Sequence, residues 1–254
     1  MSCAATLPAA GPACEYLDWD SQFFGLRIAR LTEHRLTREG VAAADRWCKT
    51  NAVDCLYFLA DSGDAQTESL AKAYGFQLVD IRVTMGRVPG HSGPTPAVRP
   101  FLPADAASLR AIARVSHRDS RFYHDARFPR WQCDALYETW IDSSSSGWAD
   151  TVLVAECDGA PAGYVSCHLA PPSGGSIGLV AVAQDYQRRG LGRQLVDASL
   201  DYFRRHRVAR ATVVTQERNV ASQRLYQRCG FVTESVQLWY HRWFGRIPTP
   251  NTYS

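Results

Sequence analysis

Apolar and polar positions divide this chain into short elements. Cys55 to Ala60 is an apolar run of strand length and Gln66 to Tyr74 reads as a helix. Gly75 and Phe76 then introduce a strand over Gln77 to Met85. The same order returns near the end: strand Ala211 to Thr215, helix Asn219 to Cys229, then Gly230-Phe231 before Val232 to Trp243, expected as a hairpin. A constant shift maps Leu70 onto Leu225 and Ala71 onto Tyr226, which suggests a duplicated strand, helix and hairpin unit. Between the copies, helices are expected over Ala104 to His117, over Trp131 to Ser143 with Trp131, Leu136 and Trp140 marking its face, and over Leu191 to His206. In the last of these, Leu191, Leu195, Ala198 and Tyr202 form a stripe that reads as core. Thr151 to Cys157, Ala162 to His168 and Ser176 to Ala183 read as strands. Asp158-Gly159 marks a hairpin turn between the first two, and Ser143 to Gly147 reads as a loop. Arg87 to Pro103 holds five prolines together with Gly90 and Gly93, a density expected to exclude helix and strand. The pattern predicts an α/β protein with a mixed, mainly antiparallel sheet. A smaller domain over 1–88 and a linker over 89–95 precede a main domain over 96–244 and a tail over 245–254.

Composition narrows the class. With 254 residues, 46% of them apolar and 21% charged, the chain can bury a core without metal or disulfide staples. Its apolar runs are too short to span a bilayer. Met1 to Pro12 lacks the basic start of a signal or transit peptide, so the expected location is cytoplasmic. Eight cysteines show no CxxC and no zinc spacing, which points to reduced, mostly buried thiols. A net charge of +3 argues against a nucleic-acid binder. Yet only Lys49 and Lys72 are lysines, so nearly all positive charge is guanidinium, suited to phosphate or carboxylate.

The sharpest motif is Gln187-Arg188-Arg189-Gly190-Leu191-Gly192, set between a strand and an amphipathic helix. Glycines let backbone amides approach a ligand closely, and amides at a helix start present partial positive charge to phosphate. Arg188, Arg189 and Arg193 add formal charge. A plain turn with an arginine face is the competing reading. A second motif, Asn219 to Tyr226 followed by Cys229-Gly230-Phe231, places Asn219 at a helix start. There an N-cap alone would account for it. Tyr226 lies seven residues on, along nearly the same helical face, either as core or as a proton donor.

Val182 to Gly192 and Asn219 to Phe231 together resemble the GNAT acyltransferase superfamily, and the order of elements over Pro96 to Phe244 is similar to the GNAT order. Gln184 stands where that family usually has proline. The resemblance implies a GNAT fold preceded by a truncated GNAT-like half, with acetyl-CoA as co-substrate. It assigns the backbone of Leu179, Val180, Ala181 and Val182 to the pantetheine arm. Gln187, Arg188, Arg189, Gly190, Leu191, Gly192 and Arg193 go to the pyrophosphate, Asn219 to a pantetheine amide and Tyr226 to protonation of the leaving thiolate. Ala71 in the first copy implies that this half has lost catalysis.

The stretch His117 to Pro129 is dense in polar and aromatic residues. Arg121 and Arg127 are suited to gripping an anionic acceptor, with His124 and Asp125 beside them and the rings of Phe122, Tyr123 and Phe128 expected to stack on a base or sugar. A surface loop is the alternative, and a metal site at His117, His124 and Asp125 matches no familiar spacing, so no metal is expected. With Trp19 to Gly25 and Tyr137 to Ile141, the stretch is similar to GNAT enzymes that N-acetylate a nucleotide-linked amino-dideoxy sugar. Another small amine, a protein terminus, or a non-catalytic CoA-binding module remain as alternatives. No carboxylate lies in Gly175 to Ala183, which leaves His168, His124 and Asp125 as candidate bases. A homodimer is left open; no membrane or nucleic-acid partner is expected.

Overall fold

The computed structural model describes residues 14–90 and 93–245. The expected leaderless start at Met1 to Pro12, residues 91–92 of the expected linker and the tail past 245 lie outside the described residues. In chain order the elements are β1 (Cys14–Tyr16), α1 (Asp18–Phe24), β2 (Ile28–Leu31), α2 (Arg38–Thr50), β3 (Cys55–Asp61), α3 (Ala65–Ala73), β4 (Gln77–Arg87), β5 (Val98–Pro100), α4 (Ala106–Ser116), α5 (Arg121–His124) and α6 (Arg130–Ser143). They continue with β6 (Thr151–Cys157), β7 (Ala160–Ala170), β8 (Gly174–Val182), α7 (Leu191–Arg205), β9 (Arg210–Gln216), α8 (Val220–Arg228) and β10 (Val232–Trp243).

Internal contacts divide the chain into two units, one running to Val79 and resuming at Gln237, the other Asp80–Val236. The division cuts β4 and β10, and residues 89–90 and 93–95 of the expected linker lie inside the second unit. In the first unit β2 pairs antiparallel with β1 and parallel with β3, and β3 pairs antiparallel with residues 237–243 of β10. In the second, β5 to β8 form an antiparallel run, β8 joins β9 in parallel, and β9 pairs antiparallel with residues 82–87 of β4. Each unit thus builds mixed, mostly antiparallel sheet in an α/β arrangement, as expected.

The duplication is carried down to single residues. The shift that takes Gly75 to Gly230 also takes β3 onto β9, α3 onto α8 and the start of β4 onto the start of β10. Asp64 caps α3 by accepting from Thr67 N, and Asn219 caps α8 by accepting from Ser222 N, the matching donor. Each copy's last strand pairs with the other copy's first one, Arg82 opposite Gln216 and Gln237 opposite Asp61. Where a hairpin was expected over Val232 to Trp243 there is one long strand, like the strand that follows Gly75-Phe76, because each finds its partner in the other copy. The copies differ after their parallel ladders: β2 ends at Leu31, whereas β8, starting in the same register against β9, runs on to Val182.

Three further expectations need correcting. Pro100 does lie in a strand, tolerated because β5 is an edge strand paired on one side only. Trp131 is 69% exposed; α6 buries Cys133, Leu136, Tyr137 and Ile141 instead, since a five-residue step from 131 to 136 turns well off one face. Ser143 to Gly147 is no loop: α6 reaches Ser143 and a π-helical turn, Ser144–Trp148, follows, with Ser144 Oγ donating to the Trp140 carbonyl. The Asp158-Gly159 turn has φ of 54° and 77°, the double left-handed geometry that matches strand twist.

The second unit's core lies between α7 and the sheet, where Leu195, Val196, Leu200 and Phe203 meet Val165, Cys167 and Val213. Leu195 is fully buried. We predict that Leu195→Ala costs about 2–5 kcal/mol, the range for deleting a packed leucine side chain. Urea unfolding would register this as a lower midpoint with an unchanged slope.

Candidate functional site

The site begins where β8 and β9 part. Their parallel ladder runs from Gly174 opposite Arg210 to Ile177 opposite Val213 and stops, although both strands continue. The cause is local. On the other side of β8 the register with β7 slips between Val165 and Cys167, leaving Ser166 unpaired in the ladder, and the Leu179 amide donates to Ser166 Oγ at 2.8 Å. Such a bulge bends a strand away from its neighbour. Leu179, Val180, Ala181 and Val182 therefore continue β8 beyond its last pair with β9 and border the gap left there. The Leu179 N–H is committed to Ser166, so its carbonyl is what remains for a ligand.

The glycine-rich loop follows. Arg188 has φ of 64° and Gly190 of 81°, both in the left-handed region. Gly190 caps α7 with no side-chain acceptor, and the first amides of the helix stay open to an anion. Gly192 has a second reason to be glycine, since a Cβ there would lie 3.3 Å from Leu225 of α8. Gln187 donates through Nε2 to the Val182 carbonyl and ties the loop to β8. Arg188 is exposed; Arg189 lies 3.6 Å from Asp158 and Arg193 3.4 Å from Asp197. Leu191 is buried in the core and acts as an anchor for the helix start.

Asn219 accepts from Ser222 N at 3.0 Å, so its oxygen serves the cap and its amide nitrogen is the half left for a ligand. Tyr226 is 4% exposed, packs on Phe231 at 5.9 Å, and burial pushes its phenol above the ordinary value near ~10, so it stays protonated at neutral pH.

The acceptor stretch differs from expectation. Phe122, Tyr123 and Phe128 point inward: Phe122 and Phe128 pack edge to face at 5.4 Å and Tyr123 donates to Asp134 at 2.6 Å. Their faces are spent on anchoring α5 to α6 and do not offer a stacking platform. Asp125 is buried, accepts from Arg127 N at 3.1 Å and lies 4.0 Å from the Arg127 guanidinium, so this pair is largely self-compensated. His124 is exposed; partial burial and the charges of Arg218 and Arg130 lower its pKa. His117 stacks on Tyr137, bonds Tyr164 Oη through Nε2 at 3.0 Å, and is pushed down to about 4 by burial, so it is a neutral structural imidazole. Among the described residues no three His, Cys, Asp or Glu side chains gather as a metal site would need.

Two groupings escaped the sequence reading. His168 Nε2 and Ser166 Oγ both lie 2.6 Å from where a Cβ on Gly178 would stand, so the imidazole fills the place of the β8 side chain that follows the last β8–β9 pair. Burial lowers the His168 pKa, while the Asp150 charge and a hydrogen bond to the Trp148 backbone raise it in part. The second grouping surrounds Asp80, 3% exposed, with Arg218 3.6 Å away. Burial raises this carboxyl to about 6 against the pull of Arg218 and Arg121. Arg82, two residues along the same face of β4, is lowered by burial and by Arg121. The signal was present: Asp80 and Arg82 are charged residues at a two-residue step inside an otherwise strand-forming run.

Comparison with known proteins sets this geometry in a family. Residues 112–231 match the Acetyltransferase (GNAT) family. The chain is 28% identical to dTDP-fucosamine acetyltransferase of Escherichia coli O6:H1 over 241 residues, covering 90% of this chain and 97% of that protein. It is 26% identical over 147 residues to the spore coat polysaccharide biosynthesis protein SpsD of Bacillus subtilis, covering 58% of this chain and only 50% of the relative's length. A solved GCN5-related N-acetyltransferase from Sphaerobacter thermophilus superposes with a TM-score of 0.64 at 15% identity, covering 91% of this chain and 76% of that one, which is a likeness of fold. The gap between β8 and β9, the glycine-opened start of α7 and the helix carrying Tyr226 all fall inside the matched segment: the chain carries a GNAT acetyltransferase domain.

Proposed function

We propose that this protein transfers an acetyl group from acetyl-CoA to the amine of a nucleotide-linked amino-dideoxy sugar by direct attack. The observation that carries the transferase half is the early end of the β8–β9 ladder beside the open amides of α7. An extended amide-bearing arm suits the length of β8 that β9 leaves unpaired, and a pyrophosphate suits the loop of Gln187 to Arg193. The acceptor half draws support from the relative named for dTDP-fucosamine, which matches nearly end to end. The amine nitrogen forms a bond to the thioester carbonyl carbon and the carbon–sulfur bond breaks. Tyr226, kept protonated by burial, gives its proton to the departing thiolate, and the proton that the acylated nitrogen then sheds restores the phenol.

The ammonium proton must leave first, and His168 is the acceptor the geometry favours. It stands over Gly178, the residue after the last β8–β9 pair, and is held neutral by burial. His124 faces two guanidinium groups that oppose protonation, and Asp125 is committed to Arg127.

Thiol release from acetyl-CoA across nucleotide amino sugars, free amino sugars, other small amines and peptide N-termini tests the assignment. Turnover confined to the nucleotide forms is expected; preference for any other amine overturns the acceptor, and release with none overturns catalysis. Tyr226→Phe should keep acetyl-CoA affinity and lower turnover by ~100-fold to ~10,000-fold. Unchanged single-turnover rates would return Tyr226 to the core.

The His168 assignment has a pH signature. Its pKa lies below the free value of ~6.5, so the base form is present at neutral pH and is lost as pH falls through that lowered value. Wild-type kcat/KM should show an acid limb below about pH 6.5, and His168→Gln should flatten it while lowering the plateau. A variant that retains the limb would assign the titration to another group.

A further inference from the structure

Trp148 keeps 69% of its surface exposed although the backbone on either side of it is fastened. It ends the π-helical turn Ser144–Trp148, in which Gly147 takes φ of 106°. Ser144 Oγ donates to the Trp140 carbonyl at 2.8 Å. After the turn, the Asp150 amide donates to the Cys167 carbonyl at 3.0 Å, and Asp150 Oδ2 accepts from the Leu169 amide at 2.6 Å. The turn is thereby tied to α6 before Trp148 and to β7 after it. A large apolar ring is normally drawn inward, and π-helical turns occur frequently at functional sites.

Exposure alone does not single out this residue, since Trp131 at the start of α6 is 69% exposed too. What distinguishes Trp148 is its neighbour. Its indole meets the His168 imidazole edge to face with ring centroids 4.8 Å apart, and the same imidazole is hydrogen-bonded to its backbone. His168 Nε2 in turn stands over Gly178, the residue after the last β8–β9 pair. The edge contact leaves most of the indole open, so a broad apolar surface lies next to the base assigned above.

The place selects the occupant. An ammonium group giving its proton to His168 must come within about 3 Å of the imidazole, so the ring that carries the amine lies among the neighbours of His168. A pyranose is polar at its rim and presents C–H groups on its faces, and a dideoxy sugar has fewer hydroxyls still. A rigid indole is suited to such a face. Phe122 and Phe128 do not serve here, because their rings are buried against each other.

We propose that the exposed indole of Trp148 is the platform on which the sugar ring of the acceptor lies, its amine turned toward His168. This rests on the nucleotide-sugar reading above and adds to it a residue that selects the sugar.

Steady-state kinetics with dTDP-fucosamine as acceptor, and with dTDP, which lacks the sugar, as a competing inhibitor, tests the platform. Trp148→Ala should raise the acceptor KM about tenfold and Trp148→Phe less, since a phenyl ring restores part of the surface. In both variants kcat and the acetyl-CoA KM should stay within about threefold of wild type, because the backbone bond to His168 does not need the indole. The dTDP inhibition constant should not change. Both substitutions act on an exposed side chain, so the fold should hold. Turnover of dTDP-fucosamine with an unchanged KM in both variants overturns the platform and leaves the nucleotide-sugar reading in place. A fall in kcat at unchanged KM also overturns it and assigns the indole to holding His168. A dTDP inhibition constant that rises in step with the KM overturns it in favour of contact with the base. No turnover of dTDP-fucosamine by the wild type overturns the nucleotide-sugar reading and the platform together.

Discussion

The proposed acetyl-CoA site depends on one parallel ladder ending early. A parallel pair that continued past Ile177 and Val213 would satisfy its own backbone groups and leave nothing for a ligand. The slip at Ser166 bends β8 outward, and the Ser166 hydroxyl takes the Leu179 amide that the slip would otherwise strand. The same slip sets His168 and Ser166 over Gly178, where only a hydrogen fits. The opening and the polar groups beside it therefore share one origin.

The first copy shows what happens without that slip. Its parallel ladder starts in the same register, but β2 ends with Leu31, so no second wall extends past β3 to enclose a ligand. Ala71, wholly buried, stands in α3 where α8 has Tyr226. The helix, its cap and its strands were retained because they build a core; the groove and phenol were not. What this copy contributes to the second unit is β4, whose early residues bring charge next to the start of α8.

Burial settles roles that residue type leaves open. Tyr226, Tyr164 and Tyr123 are all phenols pushed upward by burial, yet Tyr123 is tied to Asp134 and Tyr164 to His117, while Tyr226 lies on the helix beside the glycine-opened loop. His117 and His168 are both neutral imidazoles, one stacked in the interior and the other over Gly178. In each pair the proposed role falls to the residue that its neighbours do not tie into the interior.

Local chemistry determined much of this protein in the sequence itself. Apolar periodicity located α7 and the strands β6 to β9 to within a few residues, because one-sided burial imposes a period wherever an element packs. The Gly-x-Gly start of α7, the cap at Asn219 and the repeat that links Gly75 to Gly230 were legible because backbone geometry demands particular residues at particular steps. The inward turn of Phe122 and Phe128, the exchange of β4 and β10, the pairing of Asp80 with Arg218 and the insertion of His168 over Gly178 were decided only by tertiary structure. None follows from the spacing of its residues along the chain, and the energies that fix them, ring packing, strand pairing and the cost of burying charge, depend on what the fold brings next to them and have no period that a sequence can display.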